Sequence, residues 1–106
     1  MNIEKKRSLA WIGDAVLALY ARKWILKQSD ISIKERAEAF QSMTSNEFLS
    51  YHGEPTQVEC TIGQIYEKDG LNSAFNFIET TLMPIFLKKK KQRKLPGRFN
   101  TKKNKT

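Results

Sequence analysis

The chain has 106 residues, of which 40% are hydrophobic and 28% charged, and a formal net charge of +8. That length builds one small domain with at most one tail, and a fold of this size buries only about 60–65% of its unfolded surface, so dimerisation is a natural supplement to the core. The absence of any run of about eighteen apolar residues argues against a membrane span, and the single cysteine, Cys60, excludes an internal disulfide framework.

The longest predicted helix comes first, from residue 3 to about 28. Leu9, Ile12, Val16, Leu19, Tyr20 and Trp24 recur there at three- and four-residue spacing. The opening Met-Asn-Ile-Glu is a poor secretory signal and Glu4 argues against a transit peptide. With one unpaired cysteine, these features point to the cytoplasm. In mid-helix, residues 9–20 read Leu-Ala-Trp-Ile-Gly-Asp-Ala-Val-Leu-Ala-Leu-Tyr and place one carboxylate, Asp14, in an apolar stretch. Surrounded by Trp11, Ile12, Val16 and Leu17, that carboxylate is expected to lose solvation and to need a cation, donors or a proton. The plainer alternative is an acid on a polar helix face.

Ser29 and Asp30 end the first helix. Ser32-Ile-Lys-Glu35 is a capping box that opens a helix to about Gln41, bearing Ile33, Ala37 and Phe40. Thr44-Ser-Asn-Glu47 reads as a second box, starting a short helix with Phe48, Leu49 and Tyr51 that stops at His52-Gly53, where glycine can turn left-handed. Pro55 suits the first turn of the next helix, about 55–68, with Val58, Ile62 and Tyr66 on one stripe. Gly63 inside it costs up to about 1 kcal/mol against alanine, which implies a close backbone approach. Asp69-Gly70 ends that helix. A last one runs from about Leu71 to Leu82 with Phe75, Ile78 and Leu82 inward, bent or ended by Pro84 near Met83. No alternating strand pattern or hairpin dipeptide occurs, so the expected class is all-α, with about five helices and no internal repeat.

The net charge hides an asymmetry. Residues 1–87 hold nine Lys/Arg against eleven Asp/Glu, a balance of −2, whereas residues 88–106 hold ten Lys/Arg and no acid, a balance of +10. The division expected is therefore a slightly acidic helical domain, 1–87, and a disordered basic tail, 88–106, that is drawn to polyanions. Nucleic acid is the first candidate, with Lys88, Lys89, Lys90, Lys91, Arg93 and Lys94 as phosphate contacts. For a membrane surface, the tail's large apolar residues, Leu95 and Phe99, are too few to form an insertion face. A tail that aids solubility or lies against the acidic body is the plainer reading.

Two segments carry a family resemblance. Residues 9–20, with their Gly-Asp-Ala-Val core, resemble the first motif of the ribonuclease III family. Val58-Glu-Cys-Thr-Ile-Gly-Gln-Ile-Tyr66, followed by Glu-Lys-Asp-Gly-Leu71, resembles the second, and residues 41–49 look like the helix between them. The likeness spans roughly residues 5–87. It implies a homodimeric helical endonuclease domain that cleaves double-stranded or structured RNA. In such enzymes an Asp and a Glu from the two motifs, here Asp14 and Glu59, hold Mg²⁺, with Mn²⁺ able to substitute, and the ion activates water for in-line attack on the phosphodiester. The resemblance also puts Trp11 where the family has a bulky residue crossing the two-fold interface; plain core packing is the other reading.

The chain departs from the pattern in two ways. Two-domain family members have a Glu at the place of Ala10 and an Asp at the place of Thr56, so two of four acids are missing. The compact Mini-III subclass, which lacks a double-stranded-RNA-binding domain, resembles this chain at both places and still cleaves RNA. The connector before the second motif is also short, only His52-Gly-Glu-Pro55, and the RNA-contacting loop of those relatives looks absent. A basic tail could replace it, because A-form RNA is recognised largely through shape and phosphates. The competing expectation is a catalytically inactive, RNA-binding or ribosome-associated derivative of the same fold. A small helical adaptor with an incidental tail would instead show no salt-sensitive RNA affinity. Among other residues, His52 reads as a turn residue, Cys60 as a small buried hydrophobe, Asn46 as a capping-region residue, and Glu54 or Glu67 as possible third acids.

Overall fold

In the computed structural model, residues 1–93 are described, with side chains through residue 91; Lys94 and the rest of the basic tail lie outside the described residues. All regular structure among the described residues is helical. The first helix, α1 (Ile3–Leu26), starts where the Asn2 side chain accepts a hydrogen bond from the Lys5 N–H at 2.8 Å. Its inner face carries Ala10, Gly13, Val16, Leu17, Tyr20, Ala21 and Ile25, all buried. The same helix leaves Trp11 and Leu19 on the outside. Of the apolar residues that recur along it, Tyr20 is buried and Leu19, one residue earlier and about 100° round the helix, is exposed.

A 3-10 turn (Ile33–Glu35) leads into α2 (Arg36–Thr44), and the expected box is present, with the Ser32 N–H donating to Glu35 Oε1 at 2.9 Å. The second box is shifted by one residue. Ser45 caps α3 (Asn46–Ser50) by accepting from the Phe48 N–H at 3.1 Å, while the Thr44 hydroxyl bonds back to the Phe40 carbonyl as the last residue of α2. Nor is Gly53 left-handed; among the described glycines only Gly70 has positive φ, at 94°. The turn after α3 is closed by the His52 and Gly53 N–H groups, which both donate to the Leu49 carbonyl.

Helix α4 (Pro55–Asp69) begins with Pro55 at its first position, and Glu54 accepts from the Thr56 and Gln57 N–H groups at 2.9 Å each. Val58, Cys60, Ile62 and Gly63 are buried, but Tyr66 faces outward and Ile65 packs on the core in its place. After Gly70, α5 (Leu71–Phe77), a π turn (Ile78–Leu82) and α6 (Met83–Arg93) run on without a break. Pro84 therefore does not end the last helix. The wider turn absorbs it: the Met83 N–H reaches back to the Ile78 carbonyl, and Pro84, with no N–H to give, follows immediately. That division yields six α-helical segments among the described residues, where about five were expected.

The packing centres on α1 against α4, with Leu17, Met43, Leu49, Ile62, Ile78 and Leu82 fully buried between the layers. Phe86 of α6 makes edge-to-face contacts with Trp24 of α1 and Phe48 of α3, each with ring centroids 5.7 Å apart. These contacts hold α6 on the body, so helical structure passes the expected boundary at residue 88 and includes Lys88, Lys89, Lys90, Lys91 and Arg93.

Candidate active site

The acid pair is set by a glycine crossing. A Cβ on Gly13 of α1 would collide with the Glu59 carbonyl of α4, and one on Gly63 would collide with the Leu9 carbonyl. Both glycines are thus needed for the two backbones to touch. The residues next to that contact, Asp14 on α1 and Glu59 on α4, come together, and their carboxyl groups share a hydrogen bond. Forty-five positions of chain separate them, so this is a tertiary arrangement and not a helix-surface neighbourhood.

Desolvation falls on Glu59 and not, as expected, on Asp14. Asp14 is exposed, not enclosed by Trp11 and Ile12, because α1 buries only the face that carries Gly13, Val16 and Leu17. Glu59 is half-buried. Its carboxyl is pushed up from 4.5 to about 7, first by burial, then by its hydrogen bond to Asp14 and the repulsion of Asp14, with a smaller push from Glu54. Glu54 is the nearest further acid in this electrostatic sense. It is occupied at the α4 N-terminus, where the Thr56 N–H holds it below the usual carboxylate range, and it lies 3.8 Å from Lys6. No group of three or more Asp, Glu, His or Cys side chains with metal-holding geometry occurs among the described residues. Ala10 is buried at 6% exposure, on the face where an ionised side chain would have to displace packing.

The donor set nevertheless suits one hard divalent cation. Mg²⁺ takes oxygen ligands, is characteristically held by one or two carboxylates, and keeps several waters. A half-buried carboxyl beside a second acid, holding its proton up to about pH 7 first through burial and then through that neighbour, is the arrangement such an ion relieves.

Trp11 is 79% exposed, which removes core packing within this chain as its role. Ala15 and Leu19 follow it at four-residue steps on the same outward side. Of the basic residues, Lys89 and Lys90 lie over aromatic rings, 4.3 Å from the Tyr51 centroid and 5.5 Å from that of Trp24. Lys88 and Lys91 are exposed. Sequence reasoning missed these cation–ring contacts because it took residues from 88 onward as a tail; the three- and four-residue spacing of Leu82, Phe86, Lys89 and Lys90 was the available signal. His52 is exposed at a turn with its ring 6.3 Å from that of Phe77, and Cys60 is a buried thiol at 1% exposure.

No protein-family model, curated protein or solved structure matches this chain. None of the described helices is long and apolar enough to cross a membrane.

Proposed function

We propose that this chain is a homodimeric, Mg²⁺-dependent endoribonuclease of the ribonuclease III type, acting on double-stranded or structured RNA in the cytoplasm. The observation that carries the reading is the meeting of Asp14 and Glu59 across the glycine crossing, with the Glu59 carboxyl raised to about 7 first by burial and then by Asp14. Mg²⁺ held there, or Mn²⁺ in its place, would polarise the scissile phosphate and activate water at neutral pH. Asp14 offers an open, solvated carboxylate; Glu59 offers a half-buried one that must release its proton as the ion binds. Lys88, Lys91, Arg93 and Lys94 supply positive charge for phosphates, and Lys89 and Lys90 join them by leaving their rings.

The dimer rests on Trp11. A Trp side chain carries roughly 150–250 Å² of surface, and leaving most of it in water on a 24-residue helix favours burial against a second copy. Trp11 and Asp14 are three residues apart on one helix, so a two-fold seam at Trp11 brings the two acid pairs to the same side of the assembly.

A second reading, an inactive RNA-binding or ribosome-associated derivative, is favoured by the limit of two acids in the pair and the buried Ala10. Incubation with duplex RNA and Mg²⁺ separates the two. The nuclease reading expects cleavage by the native chain and none by Asp14→Asn. Salt-sensitive RNA binding with no cleavage by the native chain would support the second reading and remove the first.

A further inference from the structure

The acid pair is not the most enclosed feature of this molecule. On another side, α1, α2, α3 and α6 border a groove of about 820 Å³. Its floor is aromatic, with Trp24, Tyr51 and Phe86 contributing. Its rim is acidic: Asp30, Glu35, Glu38 and Glu47 all line it. Lys89 and Lys90 from α6 enter it and already lie over Tyr51 and Trp24. Four acids against two lysines leave the lining at −2, so the groove repels phosphate and suits a cationic segment with an apolar anchor.

We propose that this groove is the docking site of the chain's own residues 94–106, with Phe99 on the aromatic floor and Arg98, Lys102 and Lys103 against the acidic rim. The segment carries five Lys/Arg and no acid, so its charge is opposite in sign to that of the lining. Its starting point decides the occupant. Arg93 lies three and four residues beyond Lys90 and Lys89, which is about 5–6 Å along a helix, and six further residues reach at most about 20 Å. In sequence, Pro96-Gly97, a turn-favouring dipeptide, stands between Arg93 and Phe99. A tether this short gives an effective concentration in the millimolar range, which a basic segment on another protein would have to exceed. The docking stands independently of RNA cleavage; its consequence is that a polyanion must lift the segment off the groove before using its charges.

The test uses the full chain, ¹⁵N-labelled, with a nitroxide on Asn100→Cys in a Cys60→Ala background. At low salt the Trp24 indole and Tyr51 amide signals are expected to lose about half their intensity or more, and to recover at high salt as the screening length falls from roughly 30 Å at 0.01 M to 3 Å at 1 M. Glu38→Lys with Glu47→Lys is expected to restore them at low salt. A second readout needs no cysteine change: Phe99→Ala alone should shift the Trp24 indole signal, assigned with Trp11→Phe. Unaffected Trp24 and Tyr51 signals in both experiments would overturn the proposal. So would comparable loss on mixing spin-labelled unenriched protein with ¹⁵N protein that carries no nitroxide, which would place a second copy's segment in the groove.

Discussion

Asp14 and Glu59 meet in unequal surroundings, and the reason is helix phase. Asp14 sits at the edge of the buried face of α1 and keeps its water, whereas Glu59 lies beside Val58 and Cys60 on a helix pressed against α1 and loses part of its own. Replacing Asp14 by Asn removes the repulsion but not the burial, so the Glu59 carboxyl should move down from about 7 and stay above 4.5 in a carboxyl-detected NMR titration. The same shift has a stability consequence. An acid whose folded pKa lies above its unfolded value holds a proton in the folded chain that the unfolded chain has released. Its stabilisation is full below about 4.5 and disappears as pH rises to about 7, so the denaturation midpoint should fall across that window and the fall should be absent in Glu59→Gln. Solvent screening keeps the effect modest, since Glu59 is only half-buried. Both acids were legible in the sequence. Which one is desolvated was not, because that depends on where α4 lies, and the apolar residues flanking Asp14 in sequence point to several faces of the helix.

At the scale of elements, the α1–α4 crossing and the helix ends carry the account. Gly63 announced a close approach from sequence; Gly13 did not, because Asp14 beside it drew the reading toward chemistry. Gly13→Ala places a methyl group against the Glu59 carbonyl, and backbone cannot yield as a flexible side chain does. It should cost about 1–3 kcal/mol in chemical denaturation and weaken divalent-ion binding, since it moves Glu59 away from Asp14. Gly70→Ala provides a contrast. No atom lies near its Cβ position, but φ of 94° and ψ of 177° are open almost only to glycine, so about 1–3 kcal/mol should be lost with the ion affinity unchanged. The Ser32/Glu35 capping box, Pro55 and Gly70 were readable because each acts within four residues. Thr44 against Ser45, Gly53 and the fate of Pro84 were not. A π turn that passes a proline needs Phe86 anchored on Trp24 and Phe48 beyond it, and that anchorage is tertiary.

For the whole molecule, the all-helical class followed from period and caps, while the extent of the body did not follow from charge. A run of lysines after Leu87 looks like the start of a tail, yet two of them fold onto aromatic rings. Assembly is the largest remaining consequence. If Trp11 meets its copy, sedimentation should give a dimer for the native chain and a monomer for Trp11→Lys, whose fold and circular dichroism should be unchanged because the residue is 79% exposed. A monomeric native chain at tens of micromolar would remove the dimer. The central claim, that Asp14 and Glu59 form one divalent-cation site, is tested most directly by Mn²⁺ titration of the ¹⁵N-labelled chain. Paramagnetic loss of signal should centre on Asp14 and Glu59, strengthen as pH rises through 7, and vanish in Asp14→Asn. Loss centred elsewhere, or equal loss in that variant, would contradict it.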